Sequence, residues 1–150
     1  MIALDTNILA RFYVDDPGDP EAAKQRPVAF DVITQGPSLF VPLTVILELE
    51  WVLRAFYRFE AARVIQVVEH LLGLANVNVE DPGRVIAALD LLGRGMDFAD
   101  ALHLAGSGHC EALYTFDDRG FARRAQRLGT DTKVIVPGSD RVSGSPVMPL

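Results

Sequence analysis

The chain has 150 residues, is 49% hydrophobic and carries a formal net charge of −6. That length and apolar content suit one domain with a real core and exclude a disordered chain. The acidity argues against a protein that simply coats nucleic acid, but not against a nuclease, because carboxylates that hold cations make the metal-free chain acidic.

No apolar run reaches the ~18 residues that a membrane span needs. No basic region precedes a cleavable apolar segment at the N-terminus, so no signal peptide is expected. Cys110 is the single cysteine, which leaves no intrachain disulfide framework. A cytoplasmic protein without membrane association is the expectation.

Met1 to Leu4 is a short apolar run, which predicts a buried strand. Asp5 ends it, and a carboxylate there is costly unless something compensates its charge. Thr6 and Asn7 follow, and on its own Asp5 reads equally as a turn residue or a helix cap. A short helix fits Ile8 to Tyr13, and Asp15 to Pro20 is a loop rich in breakers. Helical sequence resumes at Glu21 and runs to Thr34, with Pro27 predicting two pieces or a kink.

Leu39 to Val41 is the second strand, closed by Pro42. Thr44 is the expected N-cap of a helix whose apolar residues, Val45, Ile46, Leu49, Val52, Leu53 and Phe56, recur at helical spacing. A further helix fits Glu60 to Leu74, and Val77 to Val79 alternates as a third strand. Asp81-Pro82 opens a helix with proline at its first position, which ends at Gly93 and Gly95. Asp97 starts the next helix, to Gly106. Ala112 to Thr115 is a fourth strand, Phe121 to Leu128 a helix stopped by Gly129, and Lys133 to Val136 a fifth strand.

Strands separated throughout by helices imply βαβ units. The expected fold is α/β, a mainly parallel five-stranded sheet with helices on both faces, over residues 1–136. Residues 137–150, rich in Gly, Ser and Pro, read as a tail.

In an open parallel sheet, ligands bind beyond the carboxyl ends of the strands. Asp5, Glu48, Asp100 and Asp117 all fall at that edge if the topology holds. Each has a plain structural reading, since acids are favoured in first helical turns, and Asp97 and Asp100 read equally as a capping pair. Four on one edge would repel unless cations neutralised them. Hard divalent ions with oxygen ligands are the usual solution, and Mg²⁺ or Mn²⁺ so held acts on phosphate esters.

The segments Leu4-Asp5-Thr6-Asn7, Leu47-Glu48-Leu49-Glu50-Trp51-Val52-Leu53, Asp97-Phe98-Ala99-Asp100-Ala101-Leu102 and Thr115-Phe116-Asp117, in that order, resemble a PIN domain. They are most similar to the VapC-type toxins of bacterial toxin–antitoxin pairs, over residues 1–136. The resemblance implies a metal-dependent endoribonuclease using Mg²⁺ or Mn²⁺, with Asp5, Glu48, Asp100 and Asp117 as its four acids. It implies Thr6, Asn7 and Thr115 as supporting polar residues, and Asp97 and Asp118 as extra acids of lower rank. It also implies an RNA substrate, a cognate antitoxin and a homodimer. Two places are less typical: Pro27 in the early helix, and Glu50, which is expected to be a solvated charge because it faces away from Glu48.

Arg119, Arg123 and Arg124, beside Asp117, are candidates for an RNA-binding rim, with Arg11, Arg54, Arg58 and Arg127 as further ones; each reads otherwise as a solvated charge. A receiver-like signalling domain that accepts a phosphoryl group is the alternative of a different class. Against it, Asp5 stands alone and Lys133 precedes the fifth strand. A haloacid-dehalogenase-like phosphatase would want Asp-x-Asp where this chain has Asp5-Thr6-Asn7. A PIN fold kept only as a binding module is the third reading, and the full acid set weighs against it.

Overall fold

The computed structural model describes residues 1–138 and 149; the rest of the expected tail, 139–148 and 150, lies outside the described residues. Two compact units divide the chain, Met1–Ala105 and Gly106–Leu150.

The first unit runs β1 (Ile2–Ala3), α1 (Thr6–Tyr13), α2 (Pro20–Gln35), β2 (Leu39–Val41), α3 (Leu43–Trp51), α4 (Ala61–Leu72), β3 (Val77–Val79), α5 (Pro82–Gly93) and α6 (Phe98–Ala105). Its strands form a parallel ladder in the order β1-β2-β3. Ile2 lies opposite Leu39, and Leu39 opposite Val77. Strand alternation buries Leu39, Val41, Val77 and Val79 and leaves Asn78 exposed. The helices close the core with Leu9, Ile33, Ile46, Leu49, Val68 and Phe98, all fully buried. α1 packs on α2 and α3, and α5 on α4 and α6.

The second unit pairs β4 (Ala112–Tyr114) with β5 (Lys133–Ile135), again in parallel. Between them lie a π-helical turn, Asp118–Ala122, and α7 (Arg123–Leu128). Gly129 stops α7 as expected, in the left-handed region at φ +66°.

The α/β class and the parallel strands agree with the sequence reading, and all five strands are present. They pair as a ladder of three and a ladder of two among the described residues, however, and not as one continuous five-stranded sheet. Among the described residues no strand is longer than three residues, so each offers few backbone groups for pairing.

Four local expectations are corrected. β1 is not a buried strand: Ile2 is 53% exposed and only Leu4 is buried, because β1 is an edge of its three-stranded ladder, and after the Leu4 N–H bond to the Phe40 carbonyl the chain turns into α1. Pro27 does not divide α2, which runs unbroken from Pro20 to Gln35. Pro27 and Ala23 are both exposed, so the turn that loses its hydrogen bond faces water, while Ala22, Ala29 and Ile33 anchor the other face. Thr44 is not the N-cap of α3; the helix starts at Leu43 after Pro42, and the Glu80 carboxylate accepts the Leu43 N–H at 3.1 Å in place of a local cap. Finally, α7 begins at Arg123, since the π-helical turn occupies the first residues of the expected helix.

Candidate metal centre

Asp5 sits where β1 gives way to α1. Its backbone is extended and its Oδ1 accepts the Thr6 N–H at 2.7 Å, so it caps α1 as well as carrying a charge. Glu48 lies on α3 and is exposed. The two carboxylates come from separate elements of the first unit and line one cavity of about 270 Å³, together with Thr6 and Asn7.

Thr6 supplies the telling detail. Its side chain is buried, and its hydroxyl Oγ1 is the one buried side-chain oxygen or nitrogen among the described residues without a hydrogen-bond partner. Buried hydroxyls normally find partners, and this one, closed off from solvent, is left without one in a residue that lines the cavity. Two carboxylates with hydroxyl and amide oxygens beside them are a hard donor set. Mg²⁺ characteristically takes only one or two carboxylates and completes its shell with water. The chemistry of the cavity therefore fits a divalent cation. No group of three or more His, Cys, Asp and Glu side chains able to hold a metal is assembled among the described residues.

Other expected residues lie elsewhere in the first unit. Asp97 is exposed, and its Oδ2 accepts the Asp100 N–H at 3.2 Å, the capping role that its position at the start of α6 allows. α6 packs on α3, and the Asp97 charge acts on Arg54. Asp100 is half-buried in the first turn of α6. Neither Asp97 nor Asp100 lines the cavity of Asp5 and Glu48.

Glu50 corrects the sequence reading outright. It faces away from Glu48, as helical geometry requires, but inward: it is 2% exposed. Arg54 Nε donates to its two carboxylate oxygens at 2.9 and 3.3 Å. The hydrogen bond to Glu50 and the field of Glu50 and Asp97 hold the Arg54 guanidinium above its usual pKa. Arg54 is thereby spent as a counter-ion.

In the second unit, Asp117 caps the π-helical turn, its Oδ1 accepting the Gly120 N–H at 2.8 Å. The Thr115 Oγ1 accepts the Asp117 backbone N–H at 3.0 Å. Asp118 makes a long, exposed ion pair of 4.0 Å with Arg123, too open to contribute much. Arg119 is exposed and Arg124 half-buried, and neither forms an ion pair among the described residues.

Sequence reasoning under-weighted one wall of the cavity: Arg11, Trp51, Phe56 and Tyr57. The signal was present as spacing. Arg11 is one turn beyond Asn7, and Trp51 one turn beyond Glu48, so each shares a helix face with a cavity residue. Phe56 was expected on the apolar stripe, yet it is 69% exposed. The segment Val52–Phe56 is π-helical, with the Tyr57 N–H bonded to the Val52 carbonyl five residues back. The wider turn shifts the phase of the side chains that follow it.

No curated protein matches the chain. The family model described as the PIN domain matches residues 2–127, and the chain belongs to the PIN domain family.

Proposed function

We propose that the protein is a metal-dependent endoribonuclease of the VapC toxin type, acting in the cytoplasm. PIN domains are generally nucleases, which supports a hydrolase of nucleic acid. The observation that carries the metal site is the cavity that Asp5 and Glu48 line together, with Thr6 and Asn7 beside them.

Asp5 and Glu48 would hold Mg²⁺ or Mn²⁺, with the Thr6 and Asn7 side chains beside them. The chemistry supplied there would be neutralisation of charge on a phosphodiester and a lowered pKa for water, so that hydroxide is available near neutral pH. Asp5 is positioned for this by its own backbone: Oδ1 is fixed by the Thr6 N–H, leaving Oδ2 for a ligand. Asp100 and Asp117 are proposed as the remaining acids on the strength of the sequence pattern, with Thr115 fixing Asp117 through its N–H. Asp97 and Asp118 are secondary, since one caps a helix and the other pairs with Arg123. Arg119, Arg123 and Arg124 are proposed phosphate contacts. A cognate antitoxin and a homodimer complete the reading, on the resemblance to toxin–antitoxin pairs.

Thermal unfolding in increasing Mn²⁺ or Mg²⁺ tests the site without relying on activity. The wild type is expected to gain several degrees in Tm, and the Asp5→Asn, Glu48→Gln double variant none. An equal gain in both would remove the metal from this cavity.

A further inference from the structure

The carboxylates account for only part of the cavity. Its remaining wall joins one cation to three aromatic rings: Arg11, Trp51, Phe56 and Tyr57.

Arg11 is built in. Its Nε donates to Gln25 Oε1 at 2.9 Å and its Nη1 to the Tyr57 hydroxyl at 3.2 Å. Gln25 is braced in turn, its Nε2 donating to Glu21 Oε1 at 2.9 Å. Both direct partners of the guanidinium are neutral. Arg26, Arg54, Arg94 and Arg123 each pair with a carboxylate, whereas Arg11 forms no ion pair among the described residues. A half-buried arginine held in orientation by neutral partners, with N–H donors to spare and no carboxylate paired to it among the described residues, is a receptor for an anion that can take two hydrogen bonds, above all a phosphate.

The aromatic rings make the anion more specific. Trp51 is 56% exposed and Phe56 69% exposed. Large rings are usually withdrawn from water; here Trp51 lies on the exposed face at the end of α3, and the π-helical turn at Val52–Phe56 keeps Phe56 out. A bare phosphate has no use for such rings, but a nucleobase does, since every base has a face to stack. A base is free to stack on protein only when it is not already stacked in a duplex, which selects single-stranded RNA. An acidic peptide could also reach Arg11, but its extra carboxylates would lie against Asp5 and Glu48 with nothing to offer the rings.

We propose that Arg11, Trp51 and Phe56 form the subsite for one unpaired nucleotide next to the phosphodiester that is cut, Arg11 holding its phosphate and the two rings its base. The inference rests on the ribonuclease reading of Asp5 and Glu48 and names the substrate feature that this cavity selects. Because the rings stack on any base, the subsite selects unpaired structure over sequence.

Trp51 is the single tryptophan of the chain, so its fluorescence reports on the subsite directly. The full-length protein is titrated with a hexa-adenylate RNA in chelator, where hydrolysis does not intervene, and again with Mg²⁺. Saturable quenching is expected. Arg11→Gln, followed by quenching, and Trp51→Ala or Phe56→Ala, followed by anisotropy of a labelled hexamer, are each expected to weaken binding about tenfold. Arg11→Gln should also lower the salt dependence by about one phosphate contact. A blunt duplex of the same length should bind at least about tenfold more weakly. Trp51 and Phe56 are exposed, so their variants should fold normally, and Tm checks this.

No quenching, unchanged affinity in Trp51→Ala and Phe56→Ala, duplex binding as tight as single strand, or an acidic peptide that outcompetes the hexamer would each overturn the subsite. Metal-dependent cleavage by the wild type with no effect of these variants on affinity would discard the subsite and keep the nuclease. Binding on Trp51 without cleavage under any metal would do the reverse.

Discussion

The Asp117 carboxylate and the Gly120 backbone are in contact: the Gly120 N–H donates to Asp117 Oδ1 at 2.8 Å, and a Cβ at position 120 would stand 2.6 Å from Asp117 Oδ2. Only glycine lets the carboxylate rest there. Gly120→Ala is expected to push the Asp117 side chain aside and cost about 1 kcal/mol of stability, the worth of a cap. If Asp117 is one of the acids, cleavage should fall far more than stability does. Activity that tracks Tm alone would make Asp117 a cap and nothing more.

Glu50 and Arg54 give a stability prediction independent of function. Arg54→Met leaves the Glu50 carboxylate buried without its counter-ion. A fully buried pair so broken costs about 3–5 kcal/mol; with the Arg54 side chain 48% exposed, water can relieve part of that, and about 2 kcal/mol is expected. Arg54→Met with Glu50→Gln should recover most of the loss. Urea unfolding of the two variants measures the difference, and an unchanged midpoint for Arg54→Met would mean that the buried charge is satisfied otherwise.

Tyr13 should betray itself in alkali. Its hydroxyl is bonded to His70 Nδ1 at 2.8 Å, and burial pushes its pKa well above the ordinary value. An unfolded tyrosine ionises near pH ~10. Above that pH the unfolded chain has lost a proton that the folded chain retains, so the stabilisation is complete below about pH 10 and is lost as pH rises towards the folded value. In a phenolate absorbance titration, Tyr13→Phe is expected to remove the latest step and leave the others in place. A titration that loses an early step would show Tyr13 to be accessible.

Pro27 is the cheapest site to improve. It lies inside α2, is exposed and breaks one helical hydrogen bond. Pro27→Ala is expected to stabilise the protein by about 2 kcal/mol, seen as a Tm raised by several degrees. A lowered Tm would mean that the proline sets a helix bend on which packing depends.

The elements were legible because their signals are local. The 3.6-residue period at Val64, Val68 and Leu71, the alternation at Val77 and Val79, and Gly129 at a helix end each need only their neighbours. What escaped depends on contacts distant in sequence. Glu50 reads as surface charge until Ile46, Leu49 and Leu53 are seen to fill the core around its helix face, and the Leu43 N–H is capped by Glu80 from the far side of two helices. The π-helical turn at Val52–Phe56 leaves no trace in a pattern built on the α-helical period, and so the exposure of Phe56 was missed. Of the site, the spacing set Asp5, Glu48, Asp100 and Asp117 at one edge; Asp5 and Glu48 line one cavity, and Asp100 does not line it. Arg11 was named only as one arginine among several, because its bracing by Gln25 and Tyr57 joins three separate parts of the chain.

The most direct test of the central claim is hydrolysis of a structured-RNA panel by the purified protein, in Mg²⁺ or Mn²⁺ and in chelator, beside Asp5→Asn and Glu48→Gln. The account predicts cleavage in metal, none in chelator, and a loss of at least about 100-fold in each variant with Tm in chelator unchanged. Cleavage that survives chelator, or that both variants retain in full, would contradict it.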